Sequence, residues 1–525
     1  MKQGIDDLLK CLDMDSHAVH QLARELTSTF RHLSAESLNQ FLPTPITESM
    51  LRPAGGRDRG RYLAIDVGGT YLRAGFIELL GSGDSSALAH GVEHGHAGHG
   101  RLNRLLERSW PIADQLKKEK SEKLFSWIGA CVSQVVGAGC DAFALPADKV
   151  LPMGVTFSFP MEQRSLSEAN LMVMGKGFSL TSNLDLGGHL LKGYEEHRAE
   201  GMPPIAIAAI SNDAVSTLVS FMYLFQPEPH QKAVMAFIVG TGTNATIPLK
   251  LSSLHKSKRP ASIRVMPGQD GTDVRIAVNT EWSINGSAPP LRKLGLISRW
   301  DDQLDGAGEH PGFQPLEYMV SGRYLGELAR LIFLDYMETR AGIRLDTVPG
   351  RLHRRFGLSS AFISHLYPGS AKGALLDQLE AEFPATEPSS GFAWTQDLAT
   401  ALYRIALSIE RRAAGIMAAS IVGLLTCADE IPPPWPAGVP TAVTELAVGY
   451  TGGCIQYFQN YRADCQAFID STLEAEFHGA PPVRVRLRPC HDGGITGAGI
   501  LVPAAMASRE TGTEWDGESS PGAGS

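Results

Sequence analysis

Three short glycine turns, each following an apolar run, lie far apart in the chain: D-V-G-G-T at 66–70, G-T-G-T-N at 240–244 and T-G-G at 451–453. A glycine turn presents backbone N–H groups with no side chain in the way, which suits phosphate oxygens. Asp66 ends an apolar run and is of the type that holds a hydrated magnesium ion, and Arg73 adds positive charge nearby. None of the turns is a P-loop, because G-x-x-x-x-G-K-[ST] is absent. A plain hairpin turn is the competing reading of the first.

Other chemistry-bearing groups fall between these turns. A-I-S-N-D-A-V at 208–214 places Asn212 and Asp213 at the carboxyl end of a run with strand character, where α/β sheets bind ligands. A carboxylate there can take a hydroxyl proton; an Asx turn starting a helix is the structural alternative. Ser158 in V-T-F-S-F-P and Lys176 in G-K-G-F put a hydroxyl and an ammonium on loops. V-N-T-E-W at 278–282 supplies Glu281, and Glu317 precedes S-G-R-Y-L-G-E; lone glutamates are usually solvated.

These groups need a scaffold of strands and helices. Y-L-A-I-D-V and Y-L-R-A-G-F-I-E-L predict a hairpin around the first glycine turn, and 204–210 and 233–240 predict buried strands. Helical spacing covers 5–41 and 396–428, with a Pro/Gly/Arg linker at 51–61. The insert 81–100, with His90, His94, His96 and His99, reads as a polar loop in preference to a metal site. The repeated pattern of apolar run and glycine turn suggests two similar halves with a ligand between them.

Bulk properties narrow the function classes. The chain has 525 residues, 43% apolar and 20% charged, enough for several domains with sizeable cores. A net charge of −9 without a basic stripe argues against a nucleic-acid partner. Seven scattered cysteines without C-x-x-C give no disulfide or zinc framework and suit a reducing compartment. The acidic amphipathic start is unlike a signal peptide, and the apolar run 413–425 is too short to span a bilayer. The expectation is a cytoplasmic protein with no membrane partner; its oligomeric state is not readable.

Taken in order, the motifs resemble the hexokinase family, whose members have the actin-like ATPase fold. The resemblance runs from about Leu42 to about Ala507, from F-L-P-T-P-I to D-G-G-I-T-G-A-G. It implies an α/β, two-domain actin-like ATPase (RNase H-like) fold, with mixed sheets flanked by helices and a cleft between a small and a large domain. The expected division is N-terminal helices packing on the large domain (1–61), small domain (62–211), large domain (212–490), a C-terminal helix returning to the small domain (491–507) and a disordered tail (508–525). It implies ATP-dependent phosphorylation of the 6-hydroxyl of a hexose, with magnesium bound through the nucleotide and no metal held by the protein alone. Carried over position by position, Asp213 is the general base and Lys176 assists at the transfer point. Ser158, Lys176, Asn212, Asp213, Asn244, Glu281 and Glu317 fall on sugar-binding positions. Asp66, Gly68, Gly69, Thr70, Arg73, Thr241, Gly242, Arg323, Gly452 and Gly453 fall on nucleotide-binding positions. Small-molecule sugar and ATP are the implied partners.

Several positions depart from the family pattern. Tyr71 replaces an Asn, Gly175 a Thr, Ala214 a Thr, Ser283 a Gly and Ile495 a Gly. In the second phosphate motif, Thr451 and Gly453 stand where the family has Asp and Ser. G-Y-T-G followed by Y-F-Q-N-Y-R, with S-G-R-Y-L before it and E-R-S-W after the first hairpin, is similar to the fungal N-acetylglucosamine kinase branch. That resemblance makes N-acetylglucosamine the expected sugar. A glucose or mannose hexokinase and a non-catalytic sugar sensor are the alternatives.

Overall fold

The computed structural model describes residues 2–51, 59–81, 101–172, 184–260, 262–265, 274–369, 373–384, 392–432, 442–511 and 513–516. The chain forms two mixed sheets of the same design. In the small domain, β2 (Gly60–Val67), β3 (Tyr71–Leu79) and β4 (Leu102–Pro111) form an antiparallel meander, and β5 (Leu151–Phe157) and β8 (Ile205–Ser211) add in parallel on the β2 side. In the large domain, β9 (Gln231–Val239), β10 (Thr243–Lys250) and β12 (Arg275–Asn279) repeat the meander, and β13 (Glu445–Thr451) and β14 (Arg484–Pro489) repeat the parallel pair. The first strand of each meander therefore lies inside its sheet, with a glycine turn at that strand's carboxyl end. This is the two-domain, actin-like arrangement expected from the motifs. The first strand of each meander carries a buried apolar run, L-A-I in β2 and A-V-M-A-F in β9, because the sheet is covered on both faces.

Two short ribbons, β6 (Met161–Glu162) with β7 (Asn170–Leu171) and β11 (Ser262–Val265) with β15 (Thr513–Asp516), lie outside the two sheets. The second ribbon corrects the expectation of a structureless tail from 508. A helix runs on to Thr511, and the β15 backbone finds ladder partners in β11. The region 1–61 also holds more than helices, since β1 (Leu42–Thr47) is the edge strand of the large-domain sheet, beside β12.

Eight helices matter for the site. α1 (Ser16–Glu36) packs its Val19, Leu22, Leu26 and Phe30 stripe onto the large domain. α2 (Ser121–Phe143) and α3 (Leu186–Glu195) cover the small-domain sheet. α2 is long and apolar enough to cross a bilayer by length and composition, but Phe125, Ile128, Val132 and Val136 are buried in the small-domain core. α4 (Asp213–Leu224) leaves β8 and is apolar all round because it packs between α8 (Gly493–Thr511) and strand β9. α5 (Gly322–Thr339), α6 (Gln396–Cys427) and the short α7 (Gly453–Tyr457) belong to the large domain. The C-terminal helix starts at Gly493, inside D-G-G-I-T-G-A-G. Its glycines are packing positions, and a Cβ on Gly497 would lie 2.1 Å from Ser216 O on α4.

One charge pair lies deep in the large domain. Arg412 on α6 makes a two-pronged ion pair with Asp301, at 2.7 and 2.8 Å, and both side chains are at most 5% exposed. Asp301 also closes a capping box with Ser298. Asp301→Ala strands the guanidinium without its counter-charge, a change that costs roughly 3–5 kcal/mol. The expected outcome is a marked fall in melting temperature by calorimetry, with Arg412→Met/Asp301→Leu recovering much of it.

Candidate active site

The small-domain half of the site gathers at the carboxyl ends of β2, β5 and β8. Register pairs Val67 with Phe157 and Thr156 with Ser211, so these strand ends lie at one edge. Ser158 follows β5, is buried, and donates its backbone N–H to Val67 O at 3.0 Å. Asn212 is the N-cap of α4: its Oδ1 accepts from Ala214 N at 2.9 Å and its Nδ2 donates to Phe159 O at 3.3 Å. Asp213 is the first helical residue and its Oδ1 accepts from the same Ala214 N–H at 2.9 Å. Both sequence readings of this pair hold at once, an Asx cap and a carboxylate at the strand end.

A chain of buried hydroxyls fixes the start of α4. Ser216 Oγ lies 2.6 Å from Ser211 Oγ and 2.5 Å from Thr156 Oγ1, and Thr156 Oγ1 donates to Gly494 O at 2.8 Å. Strands β5 and β8, α4 and α8 are thus joined behind Asp213. Asp66, one residue before the end of β2, lies opposite Arg73 in the ladder. Its carboxyl sits under the start of α8, where a Cβ on Gly494 would lie 2.5 Å from Oδ2. Burial lifts this carboxyl to about 7, opposed by Arg73 and aided by Asp213. Gly68 N donates to Tyr71 O at 2.9 Å, closing the turn that carries Gly69 and Thr70.

Arg73 does not stand alone. It donates to Asp492 Oδ1 at 2.9 Å, and Arg104 approaches Asp492 Oδ2 at 2.8 Å. Burial raises the Asp492 carboxyl, but Arg104 and Arg73 outweigh it and hold the carboxyl below its ordinary value. Arg104 and Asp492 were not singled out in the sequence. Arg104 and Arg73 share a sheet, but only the return of the C-terminal helix brings Asp492 to them.

The large-domain half forms at the ends of β9, β10, β12 and β13. Asn244 Nδ2 donates to Asn279 Oδ1 at 2.8 Å and to Glu281 Oε1 at 3.1 Å, and Asn279 Nδ2 donates to the same carboxylate oxygen at 2.8 Å. Asn279 is a further member of the cluster, legible in hindsight as the amide two residues before Glu281. Glu281 is held at a φ of 46°, a sparsely populated region for a non-glycine residue and one that concentrates at functional sites. Glu317 Oε2 accepts from Thr243 N at 3.0 Å and lies where a Cβ on Gly242 would be, 2.6 Å away. The carboxylate therefore rests directly on the G-T-G-T turn.

That turn, 240–243, meets both remaining nucleotide motifs. Gly322 N donates to Gly240 O at 2.7 Å and Arg323 N to Thr241 O at 3.2 Å. Gly452, at φ 112°, packs against the backbone of Val239 and Gly240, and Gly453 opens α7. So 449–458 is an apolar strand end followed by a glycine turn seated on the first large-domain turn. Lys176 and Gly175 lie outside the described residues, as do the four histidines of the 81–100 insert. Among the described residues no cluster of His, Cys, Asp and Glu is set to hold a metal by protein ligands alone.

The arrangement has two chemistries side by side: amides and carboxylates that pair with hydroxyls, and glycine turns with an arginine that suit phosphates. Comparison with known proteins identifies the combination. Two family models described as hexokinase match residues 4–223 and 234–504. The chain belongs to the hexokinase family. It is 27% identical to hexokinase-1 of Arabidopsis thaliana over 458 residues, 85% of this chain and 80% of that one. It is 28% identical to hexokinase-1 of Nicotiana tabacum over 451 residues, with the same two shares. The solved structure of the hexokinase from Schistosoma mansoni complexed with glucose superposes with a TM-score of 0.72 at 22% identity, covering 96% of this chain and 98% of that one. Hexokinase-type sugar phosphorylation is therefore the chemistry of this family site. ATP with magnesium fits the donor set: a carboxylate at the β2 end and glycine turns flanked by Arg323.

The raised Asp66 carboxyl has a measurable consequence. The unfolded chain loses this proton near pH 4, whereas the native protein keeps it until about 7. Between those values the native state binds more protons, so stability falls as pH rises. Asp66→Asn removes that fall. The expected result is a melting-temperature difference, variant minus wild type, that grows from about pH 4 to 7 and then levels; a constant difference contradicts it.

Proposed function

We propose that the chain transfers the γ-phosphoryl group of ATP to the 6-hydroxyl of a glucose-type hexose, with Asp213 as general base. One observation carries this reading above the others: Glu317, in the hydroxyl-reading set, accepts a hydrogen bond from the turn that carries Thr241 and Gly242. Sugar and phosphate sites are thereby set side by side.

In this reading Asn244, Glu281 and Glu317 bind ring hydroxyls, with Asn279 holding Glu281 in place. Ser158 and Asn212 orient the sugar toward Asp213, which accepts the 6-hydroxyl proton as the oxygen attacks phosphorus. The turns at 68–70, 241–242 and 452–453 hold the phosphates, and Arg323 faces the nucleotide. Magnesium, arriving with the nucleotide, supplies neutralisation of phosphate charge. Enclosing the sugar keeps water from competing as acceptor.

The names of the relatives support glucose. A second reading, N-acetylglucosamine, is favoured by one specific feature, the altered loop G-Y-T-G-G-C with Y-F-Q-N-Y-R after it. Competition decides between them. Purified protein with Mg-ATP receives equal concentrations of both sugars, and the two sugar phosphates are separated and quantified. Predominant glucose 6-phosphate supports the first reading; predominant N-acetylglucosamine 6-phosphate replaces it with the second.

A further inference from the structure

Beside Glu317 and Arg323 a pocket opens whose far wall is not part of either sheet. Thr241 and Gly242 form its floor, and Arg355 and Phe356 form that wall. The wall belongs to the segment between α5 and the next helix (Ser360–His365), which includes a short 3-10 turn at Gly350–His353; α5 grips the start of that helix in one place and the segment in two. Gly326 N donates to Ser360 Oγ at 2.8 Å, and a Cβ on Gly326 would lie 2.5 Å from Ser360 N. Arg330 Nη1 donates to Leu352 O at 2.8 Å. Glu327 Oε2 accepts from Phe356 N at 2.5 Å.

Glu327 and Arg330 also pair with each other, at 2.6 and 2.8 Å, with side chains 3% and 8% exposed. A buried ion pair is seldom more stabilising than apolar residues of the same volume. This one uses its spare donor and acceptor on the loop backbone, on either side of residues 353–355. Phe356 itself is held at a φ of 61°, yet it is partly exposed, with the Arg355 guanidinium 4.8 Å above its ring. An exposed aromatic in a strained backbone, anchored by a buried charge, has no stability rationale of its own.

We infer that Glu327 and Arg330 are positioning residues: they hold the 352–356 loop so that Arg355 and Phe356 wall the nucleotide side of the site. The pair does not touch substrate and acts through the loop. This rests on the kinase reading above. The ligand class is taken from that reading, because Thr241, Gly242 and Arg323 are nucleotide-binding positions on this pocket; its guanidinium groups share the lining with the Glu309 and Glu317 carboxylates, Arg323 lying 3.5 Å from Glu309, and the Phe356 face suits a stacked base.

The test uses the full chain, with the Michaelis constants for ATP and for the sugar measured separately. Phe356→Ala, at a partly exposed position, leaves the fold in place and is expected to raise KM for ATP about five-fold or more, the scale of one aromatic or cation–π contact. Sugar KM is expected to stay within about two-fold. Glu327→Gln is expected to shift KM for ATP in the same direction. Because both act through one loop, the double variant is expected to be no worse than the poorer single variant. Glu327→Asp, which keeps the charge, is expected to recover part of the loss. Unchanged KM for ATP in Phe356→Ala, multiplying effects in the double variant, or a Glu327→Gln loss confined to melting temperature would each overturn the inference. A wild-type protein that turns over no sugar would instead remove the kinase reading itself.

Discussion

Asp213→Asn is expected to lower kcat by about 10²–10⁴-fold while leaving sugar affinity and melting temperature near those of the wild type. The loss is the removed proton acceptor: an amide cannot take the proton that the attacking 6-hydroxyl releases. The fold survives for a reason visible at the start of α4. Asp213 Oδ1 accepts from Ala214 N, but so does Asn212 Oδ1, at the same 2.9 Å. The helix therefore keeps its cap when Asp213 is changed. The hydroxyl chain through Ser211, Ser216 and Thr156 also remains. Asn212→Ala provides the contrast, because it removes the N-cap and the Phe159 contact together with a group that orients the sugar; its expected effects are a stability loss of about 1 kcal/mol and weaker sugar binding. Turnover assays, sugar binding by calorimetry and thermal melts on the two variants separate the roles. Full activity in Asp213→Asn would remove the general base from the proposed mechanism.

Gly452→Ala is the second large effect. A Cβ there would lie 2.4 Å from both Val239 C and Val239 O and 2.7 Å from Gly240 N. These are backbone atoms of the strand end that carries the G-T-G-T turn, so they cannot swing away as a side chain does. The backbone angles, φ 112° and ψ 145°, add strain for any residue with a Cβ. Overpacking and strain each cost on the order of 1–3 kcal/mol. The two glycine turns are expected to separate, lowering the melting temperature and raising KM for ATP. The neighbouring glycine is an internal control for stability. A Cβ on Gly453 meets only Tyr457 carbons, at 3.4 and 3.6 Å. Gly453→Ala is expected to melt close to the wild type. Equal melting temperatures for the two variants would show that the turn-on-turn contact is unimportant.

The glycine echo was the most informative part of the sequence. Its first two members mark the same place in two copies of one strand design, the turn between the first and second strands of each sheet, and the third sits at the end of a parallel strand beside the second copy. It was legible because a buried strand must be apolar and a turn against another backbone must be glycine. Local pattern also placed Asn212 and Asp213 correctly, since strand end and helix start are adjacent in the chain. What local pattern could not reach was long-range pairing. Asp492 meets Arg73 and Arg104 across most of the chain's length, 419 residues from Arg73. The grip of Glu327 on Phe356 joins two segments whose sequences carry no shared period. The glycines of D-G-G-I-T-G-A-G are poor helix formers, yet they lie in a helix because close packing on α4 and β5 overrides propensity there. Asn279 was hidden for a simpler reason, because a lone Asn near a strand end is more often a turn residue.

The most direct test of the central claim is product analysis. Purified protein is incubated with Mg-ATP and a hexose, ADP release is followed, and the position of the new phosphate is read by ³¹P–¹H NMR. The expected result is ADP release that depends on the sugar, with phosphate on O6 and both signals lost in Asp213→Asn. Sugar binding without any sugar-dependent ADP release would contradict it and leave the chain as a sugar-binding protein on a kinase fold.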